Sequence, residues 1–172
     1  MATIQYALVT RARVITCSDS ASRGEREDRS GPAVRRILEQ HGFEVDGVTV
    51  VPDDADAIAA AIETMMADGA RLVVTTGGTG IAPRDVTPEA TLRVCERVIP
   101  GFGELMRMKS LEKTPMAPLS RAQAATRRSA LVVNLPGSPK AAQENLEAVI
   151  DLIPHALELL SGERVDHEHD RR

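Results

Sequence analysis

The chain has 172 residues, 42% hydrophobic and 27% charged, with a formal net charge of −4, values that fit one globular domain burying roughly 70% of its unfolded surface. Aromatic residues are 2% of the chain and Trp is absent, which argues against a base-stacking platform, and a slight acidic excess argues against a general nucleic-acid surface. Apolar runs are too short to span a bilayer and the N-terminus lacks a basic segment followed by a long apolar core, so a cytoplasmic protein is expected, with no membrane partner.

Arg13-Val14-Ile15-Thr16-Cys17 predicts a buried strand, with an extended lead-in over residues 4–9. It runs into Ser18-Asp19-Ser20 and a polar segment reaching Ser30, expected to be a loop at the ligand-binding edge of an α/β sheet. Gly31-Pro32 opens a helix with apolar positions at Val34, Ile37 and Leu38, and Gly42 ends it. His41 sits near that C-terminus, where a dipole contact is a better reading than catalysis. Val45, Val48, Val50 and Val51 mark a second strand closed by Pro52-Asp53-Asp54. Asp54 suits the cap of a helix whose face is Ile58, Ile62, Met65 and Met66, which leaves Asp53 at a strand end with no evident structural task.

Leu72-Val73-Val74 predicts a third buried strand and leads into the most distinctive stretch, Thr75-Thr76-Gly77-Gly78-Thr79-Gly80-Ile81-Ala82-Pro83-Arg84-Asp85-Val86-Thr87-Pro88-Glu89-Ala90. Glycines after a strand let the backbone approach a ligand. Thr87 as cap, Pro88 at the first position and Glu89 in the first turn then suit a helix start, a favourable place for an anion. Leu92, Cys95, Val98 and Ile99 fit a short helix. Phe102, Leu105, Met106 and Lys109 fit another, whose Met-bearing face suits core or subunit contact. A short extended piece from Ser120 to Thr126 precedes the strand Ala130-Leu131-Val132-Val133-Asn134. That strand ends in a second tight loop, Leu135-Pro136-Gly137-Ser138-Pro139, with Ser138 placed to cap the last helix and Pro154 placed to kink or split it. Residues 1–162 are expected to form one domain, and the charged segment 163–172, with His167 and His169, a disordered tail. Cys17 and Cys95 lack paired spacing and are expected to be free thiols.

Alternating strands and helices predict a three-layer α/β/α fold with a mainly parallel sheet. No Gly is followed by Lys, which removes the P-loop, and Pro83 stands where a dinucleotide fingerprint needs its third glycine, which disfavours an NAD-dependent oxidoreductase. What remains is four strand ends, at Ser18-Asp19, Asp53, residues 76–85 and residues 134–138, that a parallel sheet brings to one edge. Three of them carry an Asp. Such carboxylates can exchange protons or hold Mg²⁺, and beside helix N-termini that favour phosphate the second use fits better.

The ordered set of motifs resembles the molybdopterin adenylyltransferases, the MogA/MoaB family. It comprises Thr75 to Gly80 and Arg84 to Ala90, Ser18-Asp19-Ser20, Asp28 to Pro32, Pro52-Asp53, Ile99-Pro100-Gly101-Phe102-Gly103-Glu104, Leu119-Ser120-Arg121 and Asn134 to Pro139. The Pro-Gly-Phe-Gly-Glu stretch and Pro115 ahead of Leu119 resemble the MogA branch more than the MoaB branch. The resemblance implies Mg²⁺-dependent transfer of AMP from ATP to the terminal phosphate of molybdopterin, with release of pyrophosphate. It makes Asp53 and Asp85 the catalytic and metal-holding aspartates. The implied ligand site comprises Ser18, Asp19, Thr76, Gly77, Gly78, Thr79, Gly80, Asn134, Pro136, Gly137 and Ser138. It further implies a homotrimer, with residues 102–111 as a candidate interface, and hand-over of product to the molybdate-inserting enzyme. A non-catalytic pterin-binding or scaffolding relative is the alternative.

Overall fold

The computed structural model describes residues 10–162; the expected lead-in at 4–9 and the charged segment 163–172 lie outside them. Six strands form a single sheet: β1 (Arg11–Cys17), β2 (Glu44–Val51), β3 (Leu72–Thr76), β4 (Arg97–Ile99), β5 (Gln123–Arg127) and β6 (Ala130–Leu135). Their order is β2-β1-β3-β6-β5-β4. The first four in that order run parallel, while β5 pairs antiparallel with β6 and β4 antiparallel with β5. The central strands are continuous apolar runs because helices cover both faces, as a parallel sheet requires.

Alternation along each strand sorts the core into two layers. Val14, Val74 and Val133 face one side, where they meet Val34, Ile37 and Leu38 of α2 (Ser30–Gln40), Phe102 and Met106 of α5 (Pro100–Leu111), Leu146 of α6 (Pro139–Val149) and Leu157 of α7 (Ile153–Ser161). Ile15, Val73 and Val132 face the other, against Ile58, Ile62 and Met65 of α3 (Ala55–Ala67) and Ala90 and Val94 of α4 (Thr87–Val94). Each fully buried Leu, Ile or Val contributes roughly 1.5–3 kcal/mol. The three-layer expectation holds. Among the described residues no helix is long and apolar enough to cross a membrane.

Four local expectations change. Val98 and Ile99 are strand, not helix: Cys95 is already extended (φ −105°, ψ 156°), and Ile99 precedes Pro100, whose ring pushes its neighbour out of the helical region. Spacing alone could not separate a short helix from a short strand. Thr87 does not cap α4; Val86 occupies that position without a side-chain bond, because the Thr87 hydroxyl donates to the carbonyl of Gly77 at 2.9 Å. The polar segment after β1 contains a short helix, α1 (Asp19–Ser22), capped by Ser18, whose hydroxyl accepts the N–H of Ala21. Phe102 and Met106 are buried in this chain's own core, so only the outer face of α5, with Met108 and Leu111, is open to a partner. Elsewhere Asp54 caps α3 as expected. Pro154 splits the last helix, with a turn at Ile150–Leu152 between α6 and α7.

Candidate functional site

The parallel strands end together at one edge. There the backbone ladder continues past the strands, with Ser18 N–H donating to Val51 C=O and Gly77 N–H to Leu135 C=O. These ends wall a cleft of about 550 Å³. Its lining includes Ser18, Asp53, Thr76, Gly77, Gly78, Asp85, Gly137 and Ser138 from the sequence-predicted set. Asp19, Thr79, Gly80, Asn134 and Pro136 are not among the lining residues; they lie behind or beside it.

Two glycines make the floor possible. Gly77 has φ +100°, and a Cβ there would lie 2.2 Å from the carbonyl oxygen of Cys17. Gly78 has φ +66°, with a Cβ position 2.3 Å from Thr87 Oγ1. The loop is held from below. Thr76 Oγ1 donates to Pro136 C=O at 2.7 Å, and Thr87 donates its hydroxyl to Gly77 C=O and its N–H to Gly78 C=O. Asn134, fully buried, donates to Thr75 Oγ1 and Thr91 Oγ1, both at 2.9 Å. Thr91 passes its own proton to Thr87 C=O, so Asn134 reaches the loop through α4. The structure places it as a support for the site, not as a group facing a ligand.

The aspartates divide by environment. Asp53 and Asp19 exchange backbone bonds: Asp53 Oδ2 accepts the N–H of Asp19 at 2.9 Å, and Asp19 Oδ1 accepts the N–H of Asp53 at 3.0 Å. Asp53 thus has a structural role that spacing did not show. The Asp19 carboxylate also meets Arg84, whose Nε and Nη2 donate to both of its oxygens. That hydrogen-bonded guanidinium lowers the Asp19 pKa. Burial raises the pKa of Asp53, with the charges of Asp19 and Asp85 adding to it, while the N–H of Asp19 and the charge of Arg84 oppose it. Asp85 closes a turn, its Oδ2 accepting Ala82 N–H at 2.9 Å. It lies so near Gly80 that a Cβ there would sit 2.6 Å from Oδ2.

Two features that the sequence reading flagged were not among its site residues. Arg26, Glu27, Asp28, Arg29 and Ser30 form one wall of the cleft. Asp28 orders that wall by accepting from Thr16 Oγ1, Ser30 Oγ and Gly31 N–H; its place after a strand end was the available signal. Arg121, well separated in the chain, donates to the carbonyls of Gly80 (2.8 Å) and Asp85 (2.6 Å) and to Glu89, and its N–H to Thr79 C=O. It pins the loop from outside the cleft. Cys17 is buried and its thiol is pushed up to about 12 by burial, so it is no nucleophile near neutral pH.

A cleft at the carboxyl edge of a parallel sheet, floored by glycines and walled by aspartates, marks an α/β domain with its ligand site at the strand ends. The chain belongs to the family of probable molybdopterin binding domains, whose model matches residues 13–155. It is 46% identical over 155 residues to a molybdopterin adenylyltransferase of Helicobacter pylori, covering 87% of this chain and 86% of that one. The molybdopterin adenylyltransferase of Escherichia coli K12 is 39% identical over 172 residues, with 91% and 88% covered. Among solved structures, the molybdopterin biosynthesis enzyme MoaB of Thermus thermophilus superposes with a TM-score of 0.84 at 47% identity, covering 90% of this chain and 98% of that one. Relatives thus carry both adenylyltransferase and MoaB names.

Proposed function

We propose that this chain is a molybdopterin adenylyltransferase acting in molybdenum cofactor biosynthesis. A terminal phosphate oxygen of molybdopterin attacks the α-phosphorus of ATP; the bond to the β-phosphate oxygen breaks, and adenylyl-molybdopterin and pyrophosphate result. One observation carries the reading beyond the family match: Asp53 and Asp85 line the same cleft, and among the described residues neither has an ion-pair partner.

Two unpaired carboxylates beside a phosphate site repel the ligand unless a cation stands between them. Mg²⁺ fits this donor set, because it takes oxygen ligands from one or two carboxylates and completes its shell with water and substrate phosphates. No group of three or more His, Cys, Asp or Glu able to hold a metal occurs among the described residues, and a phosphate-sharing ion does not require one. When bound, Mg²⁺ neutralises charge developing on the polyphosphate. Asp53 and Asp85 would hold it, the backbone of Gly77 and Gly78 would admit the phosphates, and Ser138 at the start of α6 would add a helix N-terminus. The nucleophile is already an anion near neutral pH, so positioning and charge neutralisation do the work, and no general base is needed.

In the same reading the chain is a cytoplasmic homotrimer, with Met108 and Leu111, both exposed, on its contact face. Its product passes to the molybdate-inserting enzyme. Incubation with molybdopterin, ATP and Mg²⁺ followed by detection of adenylyl-molybdopterin tests the activity. Asp53→Asn and Asp85→Asn are each expected to abolish AMP transfer and retain molybdopterin binding. A variant that keeps full turnover removes that aspartate from the mechanism, and a parent chain that binds the pterin without AMP transfer is a binding relative only.

A further inference from the structure

We propose that the Arg84–Asp19 pair is a strap that sets the separation of Asp53 and Asp85, making Arg84 and Asp19 positioning residues for the cation and phosphate between them. Asp53 ends on one loop and Asp85 on another, after β2 and β3 respectively. Among the described residues, the side-chain bonds joining the two loops run through one sequence of groups. Arg84 is the covalent neighbour of Asp85. Its Nε and Nη2 donate to Oδ2 and Oδ1 of Asp19, at 2.5 and 2.9 Å. Asp19 then exchanges its N–H and Oδ1 with Oδ2 and N–H of Asp53, at 2.9 and 3.0 Å. Both non-covalent links are paired contacts, and paired contacts fix orientation as well as distance.

The Asp85 loop is also held by Arg121, which donates to the carbonyls of Gly80 and of Asp85 itself. Loss of the strap therefore leaves the loop folded and removes its side-chain tie to Asp19 and, through it, to Asp53. The Arg84 side chain is 66% exposed and that of Asp19 22%, and an ion pair open to solvent on one side contributes no more than about 1 kcal/mol to stability. A bidentate pair at the rim of a ligand cleft, nearly neutral for the fold, acts instead on where the aspartates stand. The strap also keeps the Arg84 guanidinium occupied by Asp19. Lys at this position would keep the charge and lose the fork.

The inference rests on the adenylyl-transfer reading, and the test separates the two. Arg84→Met, Arg84→Lys, Asp19→Asn and the Arg84→Met/Asp19→Asn double variant are compared with the parent by AMP transfer against Mg²⁺ concentration. Mn²⁺ titration followed by electron paramagnetic resonance and thermal melting accompany it. Arg84→Met is expected to raise the half-saturating Mg²⁺ and the Mn²⁺ dissociation constant about tenfold, the scale of one lost charge-assisted bond. The melting temperature should stay within about 2 °C of the parent, as for an exposed pair, and molybdopterin affinity should be unchanged. Arg84→Lys should recover part of the loss. The double variant should be no worse than the worse single one, because both break one link. Metal affinities within twofold of the parent for Arg84→Met, or effects that multiply in the double variant, overturn the strap. A parent that binds Mn²⁺ but never transfers AMP overturns the adenylyl-transfer reading while leaving the Mn²⁺ comparison to decide the strap.

Discussion

Gly77→Ala puts the backbone argument for the glycine loop to a direct test. At φ +100° an alanine pays the left-handed penalty of roughly 1–2 kcal/mol. Its Cβ would also lie 2.2 Å from the carbonyl oxygen of Cys17 and 3.3 Å from the carbonyl carbon. Both are backbone atoms of β1, so relief demands that the β1 and β3 ends part by about 1 Å, an overpacking cost of roughly 1–3 kcal/mol. The sum is about 2–5 kcal/mol, which for a chain of this length lowers the melting temperature by roughly 4–20 °C. Gly101→Ala is the matched control. It lies in the first turn of α5 with no atom within 4 Å of the added Cβ, so helix propensity leaves it neutral or up to about 1 kcal/mol more stable. Thermal unfolding followed by circular dichroism compares the two. If Gly77→Ala melts within about 2 °C of Gly101→Ala, the close approach of the loop to β1 has been misjudged, whatever happens to ligand binding.

Asn134→Ala should cost about 1–3 kcal/mol in chemical denaturation, since it takes the donor from the buried Thr75 hydroxyl and one of two partners from that of Thr91, which keeps its bond to Thr87 C=O. It should also loosen ligand binding, although the residue does not face the cleft; unchanged affinity would confine Asn134 to the fold. For Asp53 the raised pKa sets the sign of the pH dependence. A folded pKa above the unfolded one gives a contribution fully present below the unfolded value and lost as pH rises through the folded value. In EDTA, Asp53→Asn should therefore gain stability on the parent as pH rises through the upper carboxylate range, and Mg²⁺ should erase the gain. Melting curves across that range decide it, and a difference that stays flat with pH contradicts the assignment. In the same direction, proton competition should weaken Mg²⁺ binding to the parent at a higher pH than for an ordinary exposed Asp.

Much of this was legible in the residues because each signal had one dominant physical cause. Apolar runs between Gly and Pro punctuation placed β1, β3 and β6, and cap residues placed α3 and α6. The parallel-sheet rule then brought Ser18, Asp53, Asp85 and Ser138 to one edge without any knowledge of their separation. The failures share a different cause. Thr87 and Asn134 are ordinary cap and strand-end residues by type. Their hydrogens go instead to Gly77 and to Thr75 and Thr91, partners chosen by tertiary packing, which spacing does not encode. Arg121 was quoted as part of a motif, yet its contact with Gly80 spans 41 positions of chain. The wall from Arg26 to Ser30 was recognised as suspect from its place after a strand, but not which of its residues would line the cleft.

The charges around the cleft sort once the partners are counted. Asp28 accepts three donors, from Thr16, Ser30 and Gly31, and Asp19 is gripped by Arg84; both are satisfied without a ligand. Asp53 accepts the N–H of Asp19 and Asp85 that of Ala82, and among the described residues no cation pairs with either. Burial of Asp53 disfavours its charged form, and the N–H of Asp19 and the charge of Arg84 offset that cost only in part. A protein that only bound a pterin phosphate would do better with a neutral or basic residue at that position, since a carboxylate repels the ligand and weakens the fold. The cost makes sense when a divalent cation shared with a polyphosphate takes up both charges at once. That is the arrangement phosphoryl-transfer chemistry uses to bring two anions together.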